Sequence, residues 1–142
     1  QLSGEDDKSI LYNDLDTESS DIDKEYEINK QVFQKLDSLI RRDELYLSAD
    51  LSREDLVRMA HMNNTRFAKM IKENTGTNLS GYINELRLNH AIHLLKEHPE
   101  YTLRAIAEAS GINSMPTFHS LFKNKTGMTP SEFKKTQIDM KQ

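Results

Sequence analysis

One pattern of turns and apolar positions occurs twice in this chain of 142 residues, and it limits the possible folds more than any other feature. Leu56, Ala60, Met62, Phe67, Ile71, Gly76 and Tyr82 in the first copy answer to Ile106, Ser110, Ile112, Phe118, Phe122, Gly127 and Phe133 in the second. The offset is 50 residues up to the short turn and 51 after it, so the second copy carries one extra residue there. Each copy reads as a short helix, a tight turn and a second helix that ends on glycine, the outline of a helix-turn-helix, and two such units suggest a double reader of DNA. With three prolines and five glycines there is little room for many-turned β architecture, so the expected class is all-α.

Inside the first copy, Ser52 and Asp55 resemble a capping box, and Leu56, Val57, Met59 and Ala60 form the buried side of a short helix. His61 and Met62 make the turn, Asn63 caps the next helix, and Gly76 ends it in the left-handed conformation. Phe67, Met70 and Ile71 at i, i+3 and i+4 must face inward, which leaves Thr65, Ala68, Lys69 and Lys72 outward. In the second copy Thr102 caps a helix that buries Leu103, Ile106, Ala107 and Ser110. Gly111 and Ile112 turn, and Asn113 or Ser114 caps the last helix before Gly127. Phe118, Leu121 and Phe122 point in, while Pro116, His119, Ser120 and Lys123 point out. Pro116 is tolerated in a first turn, where no internal partner awaits an N–H.

Between the copies, Leu79 to Glu97 reads as one continuous helix stopped before Pro99, a rod of roughly 28 Å at 1.5 Å per residue. Successive major-groove segments on one face of DNA lie about 34 Å apart, a comparable length. Upstream, Phe33, Leu36, Leu39 and Ile40 make an apolar stripe on a helix expected over Lys24 to Asp43, entered through capping signals at Ser20 to Asp23. The domain order is therefore an acidic arm over 1–23, a first helix-turn-helix subdomain over 24–78, a linker helix over 79–98, a second subdomain over 99–136 and a tail over 137–142.

The net charge of −4 speaks against a nucleic-acid binder only until it is divided along the chain. Residues 1–27 carry ten acidic and two basic side chains, residues 28–51 four of each, and residues 52–142 nine acidic and thirteen basic. The duplicated region is basic and the arm acidic. The arm, Gly4 to Asp23, reads either as a solvated linker to an upstream domain or as a segment whose Ile10 to Leu15 cluster docks on the folded part, where its acids compete with DNA. The missing initial Met and the lack of a signal-peptide pattern suggest a piece of a longer protein. No 18-residue apolar stretch is present, and the absence of cysteine removes disulfides and thiolate metal sites.

Other chemistry has little footing. No Gly-rich phosphate loop, His-Glu-x-x-His run or nucleophile elbow occurs, so neither an enzyme nor a cofactor is expected. His90, His93 and Glu97 share a helical face but lack a fourth ligand, and no metal site is expected. The competing function is a helical protein-interaction module that does not bind DNA.

Three strings carry a family resemblance: LVRMAHMNNTRFAKMIKENTG, INELRLNHAIHLL and IAEASGINSMPTFHSLFKNKTGMTPSEF. From about Phe33 to Lys135 the chain resembles the DNA-binding domain of AraC-type transcriptional regulators. The linker LKEHPEYTL and the SMPTF turn are similar to those of Bacteroidetes regulators in which this domain follows tetratricopeptide repeats and a membrane segment. The resemblance implies base-contacting positions at Thr65, Ala68 and Lys69, flanked by Asn64, with Lys72 beside the backbone. In the second unit it implies Met115, Pro116, His119 and Ser120, flanked by Ser114, with Lys123 near phosphate. Ala68 offers only apolar contact, and Ser120 stands where an arginine is common, so bidentate guanine readout is missing there and the second helix favours positioning or shape. The resemblance further implies an activator, RNA polymerase as a partner, an upstream sensory domain, a homodimer of the full-length protein, and a cytoplasmic position on a membrane-tethered chain.

Overall fold

The computed structural model describes the backbone of residues 9–141 and the side chains of residues 20–141. Its regular elements are α1 (Ser9–Arg42), a 3-10 turn (Leu45–Leu47), α2 (Arg53–Ala60), α3 (Asn64–Thr75), α4 (Leu79–Glu97), α5 (Leu103–Ala109), α6 (Met115–Thr126) and α7 (Pro130–Met140). Among the described residues there is no strand, and no helix is long and apolar enough to cross a membrane. The all-α, duplicated architecture is as expected from the sequence.

Local chemistry repeats along with the fold. Ser52 and Thr102 cap α2 and α5 by accepting from the N–H of Asp55 at 3.1 Å and of Ala105 at 3.0 Å. Asn63 and Ser114 cap α3 and α6, accepting from Arg66 at 2.8 Å and from Thr117 at 3.4 Å. Each such cap satisfies one N–H that has no partner within the helix. In both copies the threonine before the terminal glycine, Thr75 or Thr126, donates to the carbonyl four residues back and accepts from the N–H two residues on. Since Ser114 is the cap that forms, and His61 and Gly111 hold equivalent left-handed positions, the extra residue of the second turn is Asn113.

Gly76 and Gly127 both sit at φ 80° with open space around them, so their requirement is one of backbone conformation. Gly127→Val is expected to destabilise the domain by about 1–2 kcal/mol, because a β-branched residue resists that region, whereas Gly127→Asn should cost much less. Thermal unfolding followed by circular dichroism checks this, and equal melting temperatures for the two variants would contradict the assigned helix end.

Two hydrophobic cores share α4. Leu36, Ile40, Leu56, Phe67, Met70 and Ile71 close on Tyr82, Ile83 and Leu86. Ile106, Ala107, Ile112, Phe118 and Phe122 close on Leu88, Ala91 and Leu95. Between Leu86 and Leu88 the buried face of α4 swings by roughly half a turn, so this helix is apolar on two sides and serves as the axis of both units. Phe133 of α7 covers the second core as Tyr82 of α4 covers the first. Burial and the Asp37 carboxylate, which accepts from the Tyr82 hydroxyl, push that phenol well above its usual pKa.

Four details differ from the sequence reading. Helix α1, described from Ser9 onward, runs unbroken through the supposed entry at Ser20 to Asp23, because no glycine or proline interrupts residues 9–42. The side chains of the Ile10 to Leu15 cluster lie outside the described residues. Residues 137–140, read as tail, continue α7, which a capping box of Thr129 and Glu132 starts and Pro130 supports at its first position. Met59 is exposed, since α2 turns only Leu56 and Ala60 fully inward. The left-handed Glu44 and the 3-10 turn after it were not anticipated.

Candidate nucleic-acid interface

Helix α3 is amphipathic in the sense its sequence dictates. Phe67, Met70 and Ile71 are buried, and Asn64, Thr65, Ala68, Lys69 and Lys72 are exposed. On α6, Phe118 and Phe122 are buried, and Pro116, His119, Ser120 and Lys123 are exposed. Two members of the sequence-derived set are partly occupied by structure. Ser114 is half-buried and spends its hydroxyl oxygen on the cap, and Met115 is half-buried against the second core.

The surroundings of α3 contain groups that sequence reasoning missed. Arg53, at the start of α2, donates to the side-chain oxygen of Asn64 at 3.3 Å and lies 5.4 Å from the centre of the Phe67 ring, so a cation stands at the N-terminal end of α3. Arg66 donates through Nε to Oδ1 of the fully buried Asn29 on α1 at 2.9 Å. Glu25, one turn earlier on α1, sits 3.8 Å from both Arg66 Nε and Lys69 Nζ. Only the three-residue offset of Arg66 from Lys69 hinted at a wider cationic edge; its partners are about forty residues away in sequence. Arg66 and Lys69 together form that edge, with one acidic neighbour on α1.

On the other unit, Lys125 of α6 donates to Glu85 of α4 at 2.5 Å, tying α6 to the shared axis. His90 of α4, which the sequence placed on a face with His93 and Glu97, makes a 3.1 Å hydrogen bond with Ser110 Oγ instead. Burial holds its pKa below the ordinary histidine value.

Two helix-turn-helix units on one connecting helix, each with an exposed polar face on its second helix, define the class: a double helix-turn-helix DNA-binding domain. The protein family described as "Helix-turn-helix domain" matches residues 56–136, more than half of the chain, and the chain belongs to this AraC-type family. It is 39% identical over 80 residues to the transcriptional regulatory protein YesN of Bacillus subtilis, an alignment spanning 56% of this chain and 22% of that protein. Against the RCS-specific HTH-type transcriptional activator RclR of Escherichia coli the identity is 31% over 81 residues, 57% of this chain and 28% of the other. A solved AraC-type transcriptional regulator from Chromobacterium violaceum superposes with a TM-score of 0.65 at 27% identity, covering 76% of this chain and 93% of that one. The chain spans less than a third of either curated relative.

Proposed function

We propose that this domain regulates transcription by setting α3 and α6 into consecutive major-groove segments of one DNA face. The observation that carries the reading is the matched phase of two exposed faces, Thr65, Ala68, Lys69 and Lys72 on α3 and Pro116, His119, Ser120 and Lys123 on α6, shifted by 51 residues in units that are otherwise built alike. Thr65, Ala68 and Lys69 read base edges, Lys72 and Lys123 meet phosphates, and Pro116, His119 and Ser120 contribute shape and local contact. Asn64, Ser114 and Met115 border these faces, and Arg53 and Arg66 add backbone anchors.

The organisation into two reading subdomains, 24–78 and 99–136, about a linker helix over 79–98 belongs to the same proposal. So do activation, contact with RNA polymerase, an upstream sensory domain, pairing of the full-length protein and a cytoplasmic site of action. Electrophoretic shift against genomic fragments tests the core of it: affinity should fall steeply between about 50 and 200 mM salt as counterions are released. Salt-independent retention of a protein partner, with no shifted DNA, would favour the interaction-module reading.

Glu25 gives a further expected result. Its pairs with Arg66 and Lys69 are long and exposed, hence weak, yet they place a negative charge beside the proposed phosphate path. Glu25→Gln should tighten DNA binding about twofold to fivefold at low salt, with the gain vanishing near 0.5 M as screening sets in. An unchanged affinity at low salt would remove α1 from the account of binding.

A further inference from the structure

Alongside α4, the first unit and the second meet at a densely bonded place. Arg87 of α4 donates through Nε to the carbonyl of Tyr46 at 2.6 Å and through a terminal nitrogen to the carbonyl of Ser48 at 2.8 Å, gripping the middle of the 3-10 turn and the residue that closes it. Gly111, in the turn of the second unit, lies on those same groups. A Cβ there would stand 2.7 Å from the Tyr46 carbonyl oxygen and 3.0 Å from both the Leu47 carbonyl oxygen and Arg87 Nε. With φ at +83°, the position excludes side chains by conformation as well as by space.

One turn along α4, His90 bonds to Ser110 Oγ, and its ring stands edge-on to Tyr46 with centroids 6.3 Å apart. The Ser110 hydroxyl already donates to the Ile106 carbonyl at 2.8 Å, so its oxygen accepts and His90 carries its proton on Nδ1. Burial lowers the pKa of Arg87, and the two carbonyl acceptors offset the desolvation of its guanidinium. Each core holds its own unit together through α4; this set of contacts instead links the 3-10 turn of one unit to the helix-turn-helix turn of the other.

We propose that Arg87, His90 and Gly111 form a joint with the 3-10 turn that fixes the angle between α3 and α6, and so sets the spacing of the two DNA segments the domain accepts. This rests on the DNA reading given above. Arg87 and Gly111 are positioning residues: neither meets DNA, and each acts through the placement of the recognition helices. A loosened joint leaves both units folded but lets them swing about α4, so that the second helix no longer finds the groove at one set separation.

The test uses the full chain and two readouts. Because the chain has no cysteine, Glu73→Cys and Asn124→Cys allow paired spin labels at exposed sites on α3 and α6. Pulsed dipolar spectroscopy should give one narrow distance in the parent and a broadened or shifted one in Arg87→Gln, with Arg87→Lys intermediate because one ammonium replaces a two-pronged donor. In the second readout, the unlabelled parent selects duplexes from a random-sequence library. The best of them is then rebuilt with one to four base pairs inserted between its two protected segments. Parent affinity should drop about tenfold or more on a single insertion, which moves and rotates one segment relative to the other, while Arg87→Gln should lose less than about threefold.

A role confined to stability would instead lower the melting temperature and weaken every duplex alike, leaving the spacing profile unaltered; that result overturns the joint. An unchanged distance distribution in Arg87→Gln overturns it as well. If distances broaden but the parent selects no duplex, the DNA reading fails and the spacing role falls with it. Gly111→Ala, if it folds, should reproduce the broadened distances, and the parent distribution in that variant would count against the proposal.

Discussion

Phe118→Ala is expected to destabilise the domain by about 3–5 kcal/mol, the range for removing a fully buried phenylalanine, which is a large share of the stability of a small domain. Phe118 has no exposed surface, and its ring packs edge-to-face on Phe122 at 5.6 Å, which in turn packs on Phe133 of α7 at 5.3 Å. The cavity would open at the α6 end of that aromatic row, inside the core that α6 shares with Ile106, Ala107 and Ile112 and with Leu88, Ala91 and Leu95 of α4. Thermal denaturation should show a midpoint lower by at least about 10 °C. Because the first core is built from other residues, spectroscopic probes there should melt later than probes on α6. A variant whose midpoint falls by less than a few degrees would mean that the second core does not depend on this ring.

Lys69→Ala is expected to weaken specific DNA binding by about 1–3 kcal/mol if the side chain meets a base edge, and to relax preference at one operator position. The same loss on every sequence, with the salt slope reduced by about one, would mark Lys69 as a phosphate contact. Lys69 is exposed on α3 with Glu25 as its acidic neighbour, so the two changes should couple. The gain from Glu25→Gln should shrink in the Lys69→Ala background, a double-mutant cycle that isolates the pair. Full affinity in Lys69→Ala would remove α3 from the proposed reading surface.

What could be read before folding was the part written locally. Ser52, Asn63 and Thr102 act three residues forward, Gly76 and Gly127 end their helices in place, and Phe67, Met70 and Ile71 show their common face by spacing alone. These signals sit within one or two helical turns, which is also why the duplication was visible. Contacts across the fold carry no such periodicity. Asn29 with Arg66 lies 37 residues apart, and Arg87 with Ser48 and Tyr46 lies 39 and 41 apart. Each pairs a polar residue with a partner fixed only by packing, so Arg87 reads in sequence as one more solvated helix cation. The continuation of α1 upstream of Lys24 is hidden for a different reason: Ser20 and Asp23 are good caps, and capping residues in mid-helix look the same in sequence as those at a true start. Ser114, four residues before Phe118, and Met115, three before Phe118 and seven before Phe122, fall by spacing on the buried side of α6, and the cap and the second core each claim part of them.

The central claim is that α3 and α6 enter two successive major-groove segments on one side of the duplex. Hydroxyl-radical footprinting of a duplex selected by this domain, with each strand labelled in turn, tests it most directly. The account predicts two protected patches on one face, separated by about 10 base pairs or roughly 34 Å, with the patch under α3 lost in Lys69→Glu while the other weakens in step. A single protected patch, or two patches on opposite faces of the helix, would contradict it.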